Sequence, residues 1–133
     1  MPIDASLPYD DTNIFARILR GEVPCKKVLE TEHSLAFHDV NPQAPIHVLV
    51  VPKGAYVAWD DFAAKASDAE IADFARAVGS VAKQTGASAQ GYRLLANAGK
   101  RGGQEVPHLH VHLFGGAPLG AMLGPMLGPV LGR

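Results

Sequence analysis

The sequence predicts an α+β domain on three observations. His47-Val48-Leu49-Val50-Val51 is almost continuously aliphatic, which suits a central strand covered on both faces. Ser67 to Gly86 carries one strong amphipathic helical pattern. Leu109 to Phe114 alternates imidazoles with aliphatic side chains, the period of a strand. Together they predict about five mainly antiparallel strands with one long and one short helix.

The elements follow in chain order. Residues 1–11 read as a flexible arm. Thr12 or Asn13 can cap a short helix whose stripe is Ile14, Phe15, Ile18 and Leu19, ended by Gly21. Val23-Pro24 is extended, and Lys27 to Glu30 and Leu35 to Asp39 read as strands joined through Glu32-His33-Ser34. Two prolines make Asn41 to Pro45 a loop, and Pro52 stops the central strand. A variable stretch runs to Ala66. Ser67-Asp68-Ala69-Glu70 is then a capping box, and Ile71, Phe74, Ala75, Val78, Val81 and Ala82 follow at intervals of three and four. Tyr92 to Ala96 is a strand, Asn97 to Gln104 a glycine-rich loop, and Leu109 to Phe114 the last strand. The domain proper spans 12–116, with a Gly/Pro/Met/Leu-rich tail over 117–133.

Composition narrows the function classes. A length of 133 residues suits one domain, and a formal net charge of −1 gives no basic field for nucleic acid or an acidic membrane. Phosphate recognition would have to be local. A single cysteine, Cys25, excludes an internal disulfide and suits a reducing compartment; we read it as an ordinary half-buried side chain. The N-terminus lacks a signal-peptide pattern, and no apolar run approaches the roughly 20 residues of a membrane span, so the expectation is a cytoplasmic protein. Five strands and one good helix make a thin core, so a sheet edge is expected to pair with a second copy.

Three of the six histidines, His108, His110 and His112, fall within five residues, separated by Leu109 and Val111. On a strand they share one face, roughly 6.6–7 Å apart at a rise of about 3.3 Å per residue. Imidazole titrates near neutrality, attacks phosphorus when neutral and stabilises phosphate oxygens when charged. Alternating histidines also ligate zinc, with Glu105 or Asp39 as a further ligand, so the metal reading stands beside the phosphate reading. The upstream loop Asn97-Ala98-Gly99-Lys100-Arg101-Gly102-Gly103-Gln104 can bring backbone amides close to oxygen and favours phosphate. It lacks the Gly-Lys-Ser/Thr ending of a P-loop.

His108-Leu109-His110-Val111-His112-Leu113-Phe114 resembles the signature of the histidine triad superfamily, three histidines each separated by a hydrophobic residue. Asn13 to Leu19, Leu35 to Pro45, His47 to Lys53, and Gly91-Tyr92-Arg93 through Gly102-Gly103-Gln104 resemble its Hint branch, so the likeness covers about residues 12–116. It implies a homodimer that binds purine nucleotides such as AMP or GMP and hydrolyses bonds from the α-phosphate to an amine. It implies no cofactor and no metal. Carried over by position, His110 is the nucleophile, His112 contacts the phosphate and assists the leaving group, and His108 orients the triad, backed by His47. Asp39 grips the ribose hydroxyls. Phe15, Ile18, Phe37, His38 and Val40 wall the base, with core packing as the alternative for the apolar ones. Asn97, Gly103 and Gln104 lie by the phosphate.

Two departures stand out. Glu105 replaces a serine found in many animal relatives and would repel phosphate, leaving its backbone amide as the contact. Gly54-Ala55 replaces a basic or histidine residue, so nothing carries over there. The tail from Gly120 repeats Gly-Ala-Met-Leu, Gly-Pro-Met-Leu and Gly-Pro-Val-Leu, and is expected to pack across a dimer and tune leaving-group choice. Competing functions are a dinucleoside polyphosphate hydrolase of the Fhit type and a nucleotide-binding scaffold with incidental turnover.

Overall fold

The structure, a computed structural model, describes residues 1–127 of the 133-residue chain. Its helices are α1 (Ile14–Leu19), α2 (Trp59–Lys65), α3 (Asp68–Gln84), α4 (Ala87–Gln90) and α5 (Gly99–Gly102). Its strands are β1 (Lys27–Glu30), β2 (Ser34–His38), β3 (Ile46–Pro52), β4 (Tyr92–Leu95) and β5 (Val111–Gly115). They form one sheet in the order β1-β2-β3-β5-β4, antiparallel at each pairing.

The aliphatic run of β3 occupies the middle of this sheet because both its faces are covered. Val48 and Val50 turn toward α3, joined by Ala36 of β2, Val111 and Leu113 of β5, and Leu109. Phe62 of α2 and Phe74, Ala77, Val78 and Val81 of α3 close that layer. Leu49 and Val51, one residue out of phase, face the other side and meet Leu35, Phe37 and Phe15 of α1. Each of these large apolar side chains contributes roughly 1.5–3 kcal/mol on full burial.

The caps follow the local chemistry. Asn13 Oδ1 accepts from the Ala16 amide at 2.9 Å and starts α1, whereas Thr12 bonds Asp10 instead. Ser67 Oγ accepts from the Glu70 amide and Glu70 reaches back to the Ser67 amide, both at 3.1 Å. Asp73 of α3 accepts from the hydroxyls of Thr31 and Ser34 at 2.6 and 2.7 Å, stapling the helix to the β1–β2 turn.

Several expectations need correction. Helix α2 lies in the variable stretch before Ala66, to which the sequence pattern assigns no element; its N-cap is Ala58, which has no side-chain acceptor. The cap is supplied from inside the helix, where Asp61 takes the amides of Val57 and Ala58 at 2.9 and 2.7 Å. The single turns α4 and α5 carry no sequence signal, because four residues show no periodicity. The last strand begins at Val111 rather than Leu109, since Leu109 donates its amide to Tyr56 outside the sheet at 2.8 Å. The arm also makes contacts that the sequence did not signal: the Ile3 amide donates to the Gln104 carbonyl at 2.7 Å, and Tyr9 reaches His108. Among the described residues no helix is long and apolar enough to cross a membrane.

Candidate active site

β3 and β5 are neighbours in register, with His47 opposite Phe114 and Leu49 opposite His112. The period of two therefore sends His47 and His112 to the face away from α3. Leu109, Val111 and Leu113 go to the core, and His108 and His110 pack on Phe15, at ring-centroid distances of 6.4 and 4.9 Å. His110 and His112 are neighbours, 5.0 Å between ring centroids, and His112 stacks on Phe114 at 5.5 Å with an interplanar angle of 3°.

Hydrogen bonds to groups of fixed role settle each ring's proton. The His108 carbonyl can only accept, so His110 Nδ1, 2.7 Å away, carries hydrogen and Nε2 keeps its lone pair. The Gln43 amide can only donate, so His47 Nδ1, at 3.1 Å, is the acceptor and its Nε2 is protonated. His47 Nε2 then donates to His112 Nδ1 at 2.9 Å, leaving the hydrogen of neutral His112 on its outer Nε2. His108 donates from Nε2 to the Pro52 carbonyl at 2.8 Å, and its Nδ1 accepts from the Tyr9 hydroxyl at 2.5 Å.

Burial reinforces these neutral states. It pushes the His108 pKa down to about 4, opposed by the Pro52 carbonyl and assisted by His110. His112 is likewise pushed down to about 4 by burial, with His110 and His47 adding to the effect. Burial also lowers His110 against the pull of the His108 carbonyl, and lowers His47 against that of Asp39.

Asp39 follows β2. Its Oδ1 accepts from the Asn41 amide at 2.8 Å and its Oδ2 lies 3.4 Å from His47 Nε2. With His38, Val40, Pro42, Pro45 and His47 it lines an open cleft of about 790 Å³. Pro24, Cys25 and Lys26 complete the wall, a contribution the sequence did not signal.

Other expected site residues sit differently. Phe15 and Phe37 are 7% and 4% exposed and, with Ile18 against them, form packed core beneath the rings rather than open wall. Val40 is fully open to solvent, and His38 is exposed. His47 backs His112, not His108 as expected, because β3 pairs with β5 at the level of His112 and Phe114. His108 is backed instead by Pro52 and Tyr9. Tyr9 carried no sequence signal, since it lies 99 residues from its partner.

The glycine-rich loop is braced from within. The buried Gln104 side chain accepts from the Gly99 amide at 3.0 Å and donates to the carbonyls of Val57 and Val106 at 2.6 and 3.0 Å. The Gly103 and Gln104 amides are themselves closed onto Lys100 and Gly99. Gln104 thus shapes the loop rather than reaching out of it. Gly103 holds a φ of +79°, a left-handed turn that glycine adopts without strain. Asn97 is half-buried, and Glu105 points to solvent beyond the loop.

Asp39, His47 and His112 each offer a donor atom within 4.8 Å of the others, the set among the described residues that could hold a metal. His47 Nε2 and His112 Nδ1, however, face one another across a hydrogen bond, so a cation would have to displace that proton. The arrangement can offer a neutral imidazole nitrogen to an electrophile, with an N–H donor beside it and a carboxylate at the mouth of the cleft.

Comparison with known proteins places the chain in a family. The family model described as the HIT domain matches residues 20–119. An uncharacterized 13.2 kDa HIT-like protein of Azospirillum brasilense is 67% identical over 112 residues, 84% of this chain and 92% of that protein. The purine nucleoside phosphoramidase of Escherichia coli K12 is 39% identical over 110 residues, 83% of this chain and 92% of the enzyme. Among solved structures, a histidine triad protein from Clostridium difficile superposes with a TM-score of 0.75 at 38% identity, covering 86% of this chain and 98% of that one. The histidine triad nucleotide-binding protein of Candida albicans gives 0.70 at 28% identity, covering 85% of each chain.

Proposed function

This chain belongs to the HIT domain family, and from that premise we propose that it is a purine nucleotide-binding hydrolase that cleaves nucleoside 5′-phosphoramidates through a nucleotidyl-His110 intermediate. The observation that carries the reading is the pair of opposed tautomers. His110 presents a lone pair at Nε2, and His112, one step along β5, presents a hydrogen at Nε2.

In the first step His110 Nε2 attacks the α-phosphorus. The Nε2–P bond forms, the bond from phosphorus to the leaving amine breaks, and the amine takes the Nε2 proton of His112, which the negative charge of the bound phosphate has brought to the imidazolium and which is left neutral. In the second step His112 Nε2, now unprotonated, removes a proton from water. That water attacks phosphorus, the P–Nε2 bond breaks, and a nucleoside monophosphate leaves His110 free. His47 supports this cycle through its hydrogen bond to His112 Nδ1, which holds the ring so that the outer nitrogen is the one that gains and loses the proton. Asp39, held by the Asn41 amide, suits the two ribose hydroxyls, each as a charge-assisted bond. His38 and Val40 lie at the same cleft for the base, and the Glu105 backbone amide is proposed as a loop contact to the phosphate.

The amine-leaving reaction is favoured over the dinucleoside polyphosphate reading by the 39% identity to the phosphoramidase. The test measures AMP release from adenosine 5′-phosphoramidate and from a diadenosine polyphosphate, with mass spectrometry of the quenched enzyme. Faster turnover of the phosphoramidate and an adduct one AMP heavier, absent in His110→Ala, are expected. Full activity in His110→Ala would overturn the covalent mechanism, and tight AMP binding with negligible turnover would favour the scaffold role.

The same reading includes a homodimer and a cytoplasmic setting. Edge strand β4 leaves Tyr92 and Leu94 43% and 48% exposed, next to Trp59 at 49%. An apolar cleft of about 380 Å³ lies between Trp59, Phe74, Val78 and Leu94. Arg93 holds the start of the tail through the carbonyls of Gly120 and Ala121, at 3.0 and 3.1 Å, leaving Met122, Leu123, Met126 and Leu127 exposed. A second copy would cover these surfaces. The last repeat, from Gly128 to Arg133, lies outside the described residues. Sedimentation of wild type and Leu94→Asp tests the dimer.

A further inference from the structure

The arm before α1 reaches the triad, and the reaction just described makes no use of it. We propose that Tyr9 is a positioning residue: its hydroxyl clamps the buried His108 ring, and through the His108 carbonyl it holds His110 in the orientation that presents Nε2. The inference rests on the phosphoramidase reading for its kinetic consequence, but the clamp itself does not.

His108 is 0% exposed, so both ring nitrogens need partners inside the protein. Pro52 at the end of β3 takes the Nε2 hydrogen, and the partner of Nδ1 is the Tyr9 hydroxyl, 2.5 Å away. Burial raises the Tyr9 pKa, so the phenol stays a donor. The two rings also meet edge-on, 5.5 Å between centroids. An imidazole held at one nitrogen can still turn about its ring bond; held at both, it cannot. The carbonyl of this same residue accepts from His110 Nδ1 at 2.7 Å, one peptide further on. Phe15 packs on both rings from α1, the helix into which the arm leads. Ile3 adds a second tie, from its amide to the carbonyl of Gln104, the residue that braces the glycine-rich loop. The arm thus fastens the two segments that flank the phosphate position.

Tyr9→Phe keeps the edge-on ring and removes only the donor. Its kcat on adenosine 5′-phosphoramidate should fall roughly tenfold or more while KM stays almost unchanged, because orientation of the nucleophile is lost and ribose binding is not. In parallel, 15N spectra of the imidazoles should change. The two His108 nitrogens, widely separated in wild type as a single tautomer, should change their separation in Tyr9→Phe as Nδ1 loses the hydrogen bond it accepts. A kcat equal to wild type, or unchanged His108 shifts, would overturn the proposal. Should wild type hydrolyse no phosphoramidate, the reaction reading fails on its own. The clamp is then decided by the spectra alone, upheld if the His108 and His110 signals move and refuted if they do not.

Discussion

Acid should destabilise this fold through His108, and the size of the effect follows from its burial. The ring is 0% exposed and neutral, with both nitrogens engaged, and its pKa is pushed from the ordinary 6.5 down to about 4. Unfolding returns it to water and to about 6.5. Above that value neither state binds the proton, and the residue has no pH-dependent effect. Below it the unfolded chain takes up a proton that the native protein refuses, so stability falls as pH drops from about 6.5 toward 4 and then levels off. At 1.36 kcal/mol per pH unit, the whole window is worth about 3 kcal/mol, and about 2 kcal/mol is lost between pH 7 and pH 5. The assay is urea unfolding at fixed protein concentration from pH 7.5 to 4.5, comparing wild type with His108→Asn. Substitution lowers stability at every pH, but the informative quantity is the slope. The wild-type curve should fall more steeply by about 2 kcal/mol between pH 7 and pH 5. Parallel curves would refute the argument.

Three further outcomes are expected. Phe62→Ala removes a ring that is 1% exposed and in contact with Tyr56, Trp59 and Phe74, and should cost about 3–5 kcal/mol in urea unfolding. His112→Asn should lower kcat by about 10²–10⁴-fold for an alkylamine leaving group. The loss should be much smaller for one that departs without a proton, and a series of leaving groups checks this. Exhaustive chelation should leave turnover unchanged, since the donor atoms of His47 and His112 are spent on each other; loss of activity with recovery on adding zinc would show the opposite.

Much of the fold was readable because it rests on local periodicity. The aliphatic run of β3, the capping box before α3 and the alternation from Val111 to Phe114 each follow a local pattern, and each corresponds to an observed element. Helix α2 was not readable. Its cap comes from Asp61 folding back on Val57 and Ala58, with no polar side chain at the N-cap to mark it. The presence of His108, His110, His112, His47 and Asp39 near one another was likewise legible as a motif, but their partners were not. His47 turned out to serve His112, and Tyr9 to serve His108, because those pairings depend on strand register and on contacts 65 and 99 residues apart.

By itself, then, the sequence determined which side chains alternate and where the central strand and the long helix lie. Those properties follow from backbone geometry over a few residues. Which nitrogen of each ring carries its proton was decided only by the tertiary structure. A ring nitrogen takes or gives hydrogen according to what stands opposite it. Here those groups are the Gln43 amide, the carbonyls of Pro52 and His108, and a phenol from the far end of the chain. The chemistry of the triad is therefore written in backbone positions that no residue type announces.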